Sequence, residues 1–281
     1  MDRLSLARIR LIPDAGVTID LGHVRFIKPP AVIGVLMLIE QLSQMLREGE
    51  LRVLGLELPR DRRVVNYLYR IGFDQVTRDV ILQQPPPDFI FQDLPGFRPM
   101  IPVSRFSQAD HVEGIANRMA EVFHTELIGL GTLLQQCHVV FSELADNVLH
   151  HSRSGTGYVL AQQYRYPRKG GGYQNMIEVA VGDAGIGMYN ALAQNPEVAS
   201  QLRSDEEAIV LALKDGVTGL SASNRGYGLG YVQQEVRRGK ERVLGIRSRT
   251  GWVKLYSSGR LRRGTCELFS GTLAHVVIPC G

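Results

Sequence analysis

Val179-Ala-Val-Gly-Asp-Ala-Gly-Ile-Gly187 is an apolar run that ends abruptly in an aspartate followed by two spaced glycines. The run reads as a buried strand entering a tight turn, with Asp183 at its end and Gly185 and Gly187 in the turn. Glycine tolerates positive φ and lets a planar ligand lie against the backbone. A buried carboxylate can accept a hydrogen bond from an exocyclic amine such as that of adenine. A glycine turn after a strand is common by itself, so its meaning depends on what the chain places before and after it.

Before it stands Phe141-Ser-Glu-Leu-Ala-Asp-Asn-Val-Leu-His-His-Ser152, within a helix predicted from Thr132 to His151. Spacings of three and four put Glu143, Asn147 and His150 or His151 on one face, while Val139, Val140, Leu144 and Val148 occupy the other. A carboxylate and an amide oxygen are hard donors suited to magnesium that also holds phosphate. Alone, the pattern equally fits an ordinary amphipathic helix. After the turn comes Asn224-Arg-Gly-Tyr-Gly-Leu-Gly-Tyr231, with Gly226, Gly228 and Gly230 just ahead of a predicted helix. Backbone N–H groups at a helix start attract anions, and glycine lets phosphate come close.

Working outward, the first third alternates short apolar runs with amphipathic helices, the pattern of a small sheet covered by helices. Strands are expected at Val17–Leu21, Val24–Ile27 and Leu51–Leu58, and helices at Ala31–Leu46 and Arg62–Ile71. In the first helix, Val32, Val35, Leu36, Ile39, Leu42 and Leu46 form one apolar face. Five prolines between Gln83 and Pro99 rule out helix or central strand there. The expected organisation is a domain over 1–84, a Pro-rich linker over 85–99 and a second α/β domain over 100–281. Its closing strands are expected at Val243–Ser248, Val253–Tyr256, Cys266–Phe269 and Thr272–Ile278.

The order of these pieces resembles the GHKL superfamily of ATP-binding proteins: a helix with Glu and Asn, a strand ending in Asp-x-Gly-x-Gly, a variable segment, then a glycine-rich helix start. The resemblance covers roughly residues 100–281 and extends to Gly271-Thr-Leu-Ala-His-Val-Val-Ile-Pro279. It implies a two-layer α/β sandwich that binds ATP and Mg2+. In that reading Asp183 holds the adenine amine, Gly185 belongs to the same nucleotide site, Gly187 admits the ring, and Thr272 supports Asp183 or a bridging water. Asn147 holds the metal, and Glu143 assists it or orients a water as the catalytic group. Gly226, Gly228 and Gly230 lie over the phosphates, Arg225 reaches the γ-phosphate, and Met188 to Asn224 forms a mobile lid. His150 stands where histidine kinases of the superfamily often carry lysine, and a neutral imidazole attracts phosphate less strongly.

Residues Val17 to Phe73 resemble a STAS domain, with Lys28-Pro29-Pro30-Ala31 where phosphorylatable members carry a serine. The pairing is similar to anti-sigma-factor serine/threonine kinases, which implies a regulator coupling nucleotide state to a protein partner. An ATP hydrolase and a non-catalytic nucleotide sensor stay open as alternatives, and so does a homodimer.

Charge and composition narrow the setting. The net charge is +4, yet Arg237 to Arg263 holds ten basic residues against Glu241 alone, a net +9 that leaves −5 for the rest. The simpler reading of that stripe is a pair of strands with a solvated basic face, the alternative a nucleic-acid contact. Three cysteines, Cys137, Cys266 and Cys280, lack metal-ligand spacing and point to reduced packing residues. The longest apolar stretch, Ala31–Ile39, is too short to cross a bilayer, and a cytoplasmic protein is expected.

Overall fold

The structure, a computed structural model, describes residues 8–12, 16–80, 98–126, 131–167, 170–214, 217 and 228–280. It is built on two sheets, the mixed α/β class expected from the sequence.

In the smaller sheet, β1 (Arg8–Ile12) pairs antiparallel with β2 (Gly16–Asp20). β2 pairs parallel with β3 (Val53–Glu57) across the crossover helix α1 (Pro29–Arg47). Pro29 and Pro30 open α1, where missing N–H groups cost nothing, and Gly49 beyond its end takes φ +79°. α2 (Arg62–Arg70) is capped by the Asp61 carboxylate, which accepts from the Arg63 N–H at 3.0 Å. Gly72, at φ +78°, separates it from the single turn α3 (Phe73–Thr77). The strand expected at Val24–Ile27 is instead a turn, in which the Val24 N–H donates to Leu21 O at 2.8 Å. Val24 and Ile27 are buried without joining a ladder, since a short apolar run can anchor a loop as well as a strand.

The larger sheet starts with β4 (Arg98–Phe106), followed by α4 (Ala109–Glu126) and α5 (Gly131–His151). Then come β5 (Gly157–Pro167), β6 (Tyr173–Asp183), α6 (Gly187–Leu192), α7 (Pro196–Ala199), α8 (Asp205–Ala212) and α9 (Gly228–Arg238). β7 (Val243–Ser248), β8 (Gly251–Tyr256), β9 (Leu261–Thr265) and β10 (Thr272–Cys280) close the chain. All seven strands pair antiparallel in the order β4-β5-β6-β10-β7-β8-β9. The last chain segment thus sits at the sheet centre, beside the strand that carries Asp183. The strand expected at Cys266–Phe269 lies earlier, as β9. A tight turn after Tyr256, with Gly259 at φ +80° and the Tyr256 N–H on Arg260 O at 2.9 Å, returns the chain at once.

Alternation assigns each strand two faces. Val159, Ala161, Ile177, Val179, Val181, Ala274 and Val276 face α4, α5, α8 and α9 in one apolar core. The opposite side presents Tyr158, Leu160, Ala180 and Leu273 to α1, in a second core shared with the smaller sheet. Helix α1 is therefore covered on two sides, and every residue from Ala31 to Met37 is buried. Its length and composition would suit a membrane span, but its first half is buried here between the two sheets. Gly182 makes the seating close: a Cβ there would come 2.6 Å from Met37 Sδ and 2.7 Å from an Ile33 methyl. The Val103 N–H also donates to Ile71 O at 2.8 Å, tying β4 to the end of α2. The expected Pro-rich linker lies almost wholly outside the described residues.

A third expectation is corrected in part. The first part of the Met188–Asn224 segment, expected to be a mobile lid, is packed: Leu192, Val198, Leu202, Ala208, Ile209 and Leu213 are buried in the helix-side core, and α8 lies on β7, β8 and β9. Apolar side chains in three short helices bury more favourably than a free lid could. The rest of that segment, with Arg225 and Gly226, falls largely outside the described residues.

Candidate functional site

Asp183 ends β6 at the sheet centre, opposite Thr272 of β10 and Gly157 of β5. It is 3% exposed. Its Oδ1 accepts from the Gly185 N–H at 2.8 Å, and the Thr272 backbone also donates to the carboxylate. Burial nevertheless dominates and pushes the carboxyl up to about 7, because those two donors only partly replace lost water. Near neutral pH this group is thus poised between acid and carboxylate.

The turn around it leaves no room for side chains. A Cβ on Gly185 would stand 1.9 Å from Ser152 O, and one on Gly271, at φ +81°, 1.8 Å from Asp183 O. Gly187 takes φ +77°, and a Cβ on it would meet Arg249 Cγ at 2.7 Å. Three backbone segments converge here. The end of α5 arrives through Ser152 O, which accepts from the Ile186 N–H at 2.9 Å. The end of β7 arrives through Ser248, whose hydroxyl accepts from the Met188 N–H at 2.8 Å and lies 3.1 Å from both Gly271 O and the Thr272 hydroxyl.

Glu143 and Asn147 lie on α5, which packs against α9. Both are half-buried. The Asn147 amide nitrogen donates to Glu143 O at 2.7 Å, which leaves the amide oxygen for a cation. Gly228, the first residue of α9, stands so close to Glu143 that a Cβ would lie 2.4 Å from its Oε2 and 3.6 Å from Asn147 Nδ2. The start of α9 thus opens onto the polar stripe of α5. Burial, and secondarily the charge of Asp146, raises the Glu143 carboxyl above its ordinary value. His150, one turn further, is exposed. Gly230 is buried inside α9, where it belongs to the helix rather than to the loop before it.

The structure thus groups Asp183, Gly185, Gly187 and Thr272 at one end, and Glu143, Asn147 and Gly228 at the other. Helix α5 joins the two ends. Glu143 precedes Ser152 by nine residues, about 13 Å of helix. Among the described residues no cluster of three or more His, Cys, Asp or Glu side chains could hold a metal unaided. A magnesium ion would fit only if phosphate oxygens and water completed the donors supplied by Asn147 and Glu143, which is the ion's usual habit.

Two contributors escape sequence reasoning. Ser248 reads as an unremarked serine at a strand end, and its role arises from pairing with Thr272 across β7 and β10. Arg249, at φ +52°, lies against Gly187 and is held by Asp205, with Nε 3.2 Å from Oδ1. Its sequence signal is merely one more arginine in a basic stripe. Comparison with protein-family models, with curated proteins and with solved structures finds no match to this chain.

Proposed function

We propose that this chain is a magnesium-dependent ATP-binding regulatory protein, as its resemblance to GHKL anti-sigma-factor kinases implies, and that nucleotide state controls its binding to a protein partner. The observation that carries the reading is the buried Asp183 carboxylate in a turn stripped of side chains at Gly185, Gly187 and Gly271. Such a carboxylate is costly to bury without a donor to receive, and an adenine amine is one. Helix α5 leads from there to Asn147 and Glu143, beside the start of α9, where phosphates and their metal would sit. Glu143 favours retained chemistry, since a pure sensor has no use for a carboxylate near the phosphates.

Calorimetry with Mg-ATP tests the reading. Asp183→Asn should abolish binding, because an amide offers its own N–H groups to the amine, and Asn147→Ala should weaken it at least tenfold. Wild-type affinity in Asp183→Asn would sink the assignment. The carboxylate accepts from the amine more strongly than the protonated acid does, so affinity should rise as pH climbs through about 7 and level off above it. Incubation with γ-labelled ATP separates the classes: a labelled partner identifies a kinase, free phosphate alone a hydrolase, and neither a sensor.

A further inference from the structure

The outer face of β7, β8 and β9 combines charge and aromatic surface in a way the linear sequence conceals. Helix α1 lies over β5, β6 and β10, whereas α8 and α9 cover the opposite side of β7 and β8. Alternation sends Val253 and Leu255 into the helix-side core, and Trp252, Lys254 and Tyr256 outward. Lys254 pairs in register with Arg262, Trp252 with Gly264 and Arg247. Arg260, at the turn, continues the same alternation. The outward set is thus Arg247, Trp252, Lys254, Tyr256, Arg260 and Arg262.

The basic residues on this sheet sort by face. Those directed to the helix side meet carboxylates: Arg249 with Asp205, and Arg263 with Glu207 at 4.0 Å. Among the described residues, Arg260 and Arg262 are exposed and form no ion pair. From Val243 to Ser270 the sequence contains one acid, Glu267, whose backbone oxygen accepts from Arg247. Lys254 stands directly opposite Arg262, which gathers two cations on this face. Trp252 Nε1, Cε2 and Cζ2 lie 3.0, 3.1 and 3.1 Å from where a Cβ on Gly264 would stand, so the indole occupies the space the glycine leaves open. Its N–H donates to Thr265 O at 3.2 Å, which fixes the ring. Arg247 stacks over Phe269 at 4.8 Å.

We propose that this face binds single-stranded nucleic acid, the sugar-phosphate chain running past Arg260, Arg262, Lys254 and Arg247 while bases stack on Trp252 and Tyr256. Half-buried aromatics interleaved with cations on one sheet face suit bases and phosphates together; an acidic polypeptide would use the cations and leave the rings idle. The face lies apart from the nucleotide site and does not depend on that reading.

Trp252 is the chain's one tryptophan, so its fluorescence reports stacking directly. Titration of the full chain with a twelve-residue oligothymidylate should quench it saturably. Affinity should fall with salt at a log-log slope of about −2 to −3, as expected for three to four phosphate contacts. With a dye-labelled oligonucleotide, Arg262→Glu should weaken binding at least tenfold, and Trp252→Ala about 5- to 100-fold from lost stacking. Both variants should keep the wild-type circular dichroism spectrum, and Asp183→Asn should bind the oligonucleotide normally. Absence of quenching, wild-type affinity in Arg262→Glu, or equal displacement by polyglutamate of matched charge would each overturn the proposal.

Discussion

The two faces of the seven-stranded sheet obey opposite rules. Toward the helices, Ile177, Val179 and Val181 of β6 meet only apolar partners such as Phe141, Leu144 and Val232. On the side facing α1 and α2, the intervening residue of the same strand is Glu178, 1% exposed. Its carboxylate takes hydrogen bonds from the Tyr164 hydroxyl and from His275 Nδ1 at 2.8 Å, while nearby the Tyr67 hydroxyl of α2 donates to Gln162 Oε1 at 2.8 Å. An apolar interface tolerates sliding, whereas directional bonds fix one docking register. The helix side is accordingly a folding core, and the other side a keyed joint between the smaller sheet and the larger one.

The most direct way to break that contrast is Glu178→Ala. Leaving the half-buried Tyr164 and His275 without their acceptor should cost about 2–3 kcal/mol in urea unfolding. Ile177→Val, one residue away on the apolar side, should cost only about 1 kcal/mol. Comparable losses at the two positions would show the faces to be equivalent.

The two buried carboxylates of β6 give pH dependences of opposite sign. At Asp183 the folded-state carboxyl is raised to about 7, so the stability it contributes is complete below the ordinary value of 3.8 and declines as pH rises to 7. Asp183→Asn should therefore be more stable than the wild type at pH 8, by about 2–4 kcal/mol, even as it loses nucleotide. At Glu178, burial pushes upward but the His275 and Tyr164 hydrogen bonds and the Lys28 charge outweigh it, holding the carboxyl below its ordinary value. Its contribution is present above pH 4.5 and lost as pH falls through the lower folded value. Denaturation midpoints from pH 3 to 8 should therefore approach the wild type toward acid for both variants and separate from it toward pH 8 with opposite signs, Glu178→Gln falling below and Asp183→Asn rising above.

Gly182→Val tests the joint locally. The added side chain collides with Met37 and Ile33, so it should cost about 1–3 kcal/mol and speed proteolysis of the segment around α1 more than that of the larger sheet. The smallest expected effect is that of Arg262→Glu on stability, within about 0.5 kcal/mol, because the residue is exposed and forms no ion pair among the described residues.

These contrasts also mark what the sequence could reveal. The strand into Asp183 and the helix carrying Glu143 and Asn147 were legible because period two and period 3.6 are local signals. The strand order was not, since placing β10 between β6 and β7 depends on pairings between residues far apart in the chain. Ser248 acquires its place only through that pairing. Helix α1 carried a readable clue that the one-face description passed over: beside Val32, Val35, Leu36 and Ile39 it has Ile33 and Met37, a second apolar stripe that needs a second surface. The buried anchors of α6 to α8 were obscured by the polar residues around them. Trp252 and Tyr256 escaped notice as a basic–aromatic surface because strand alternation, invisible in a charge count, was needed to put them beside Lys254 and Arg262.

Gly182, directly before Asp183, belongs to the joint although its neighbour belongs to the candidate site. The absent side chain at this position therefore couples two evolutionary histories. A lineage that discarded the α1 segment would release residue 182 to acquire bulk, whereas one that kept it could enlarge that residue only by shrinking Met37 or Ile33. Paired variation at 33, 37 and 182 across descendants would thus trace the gain or loss of the whole N-terminal unit.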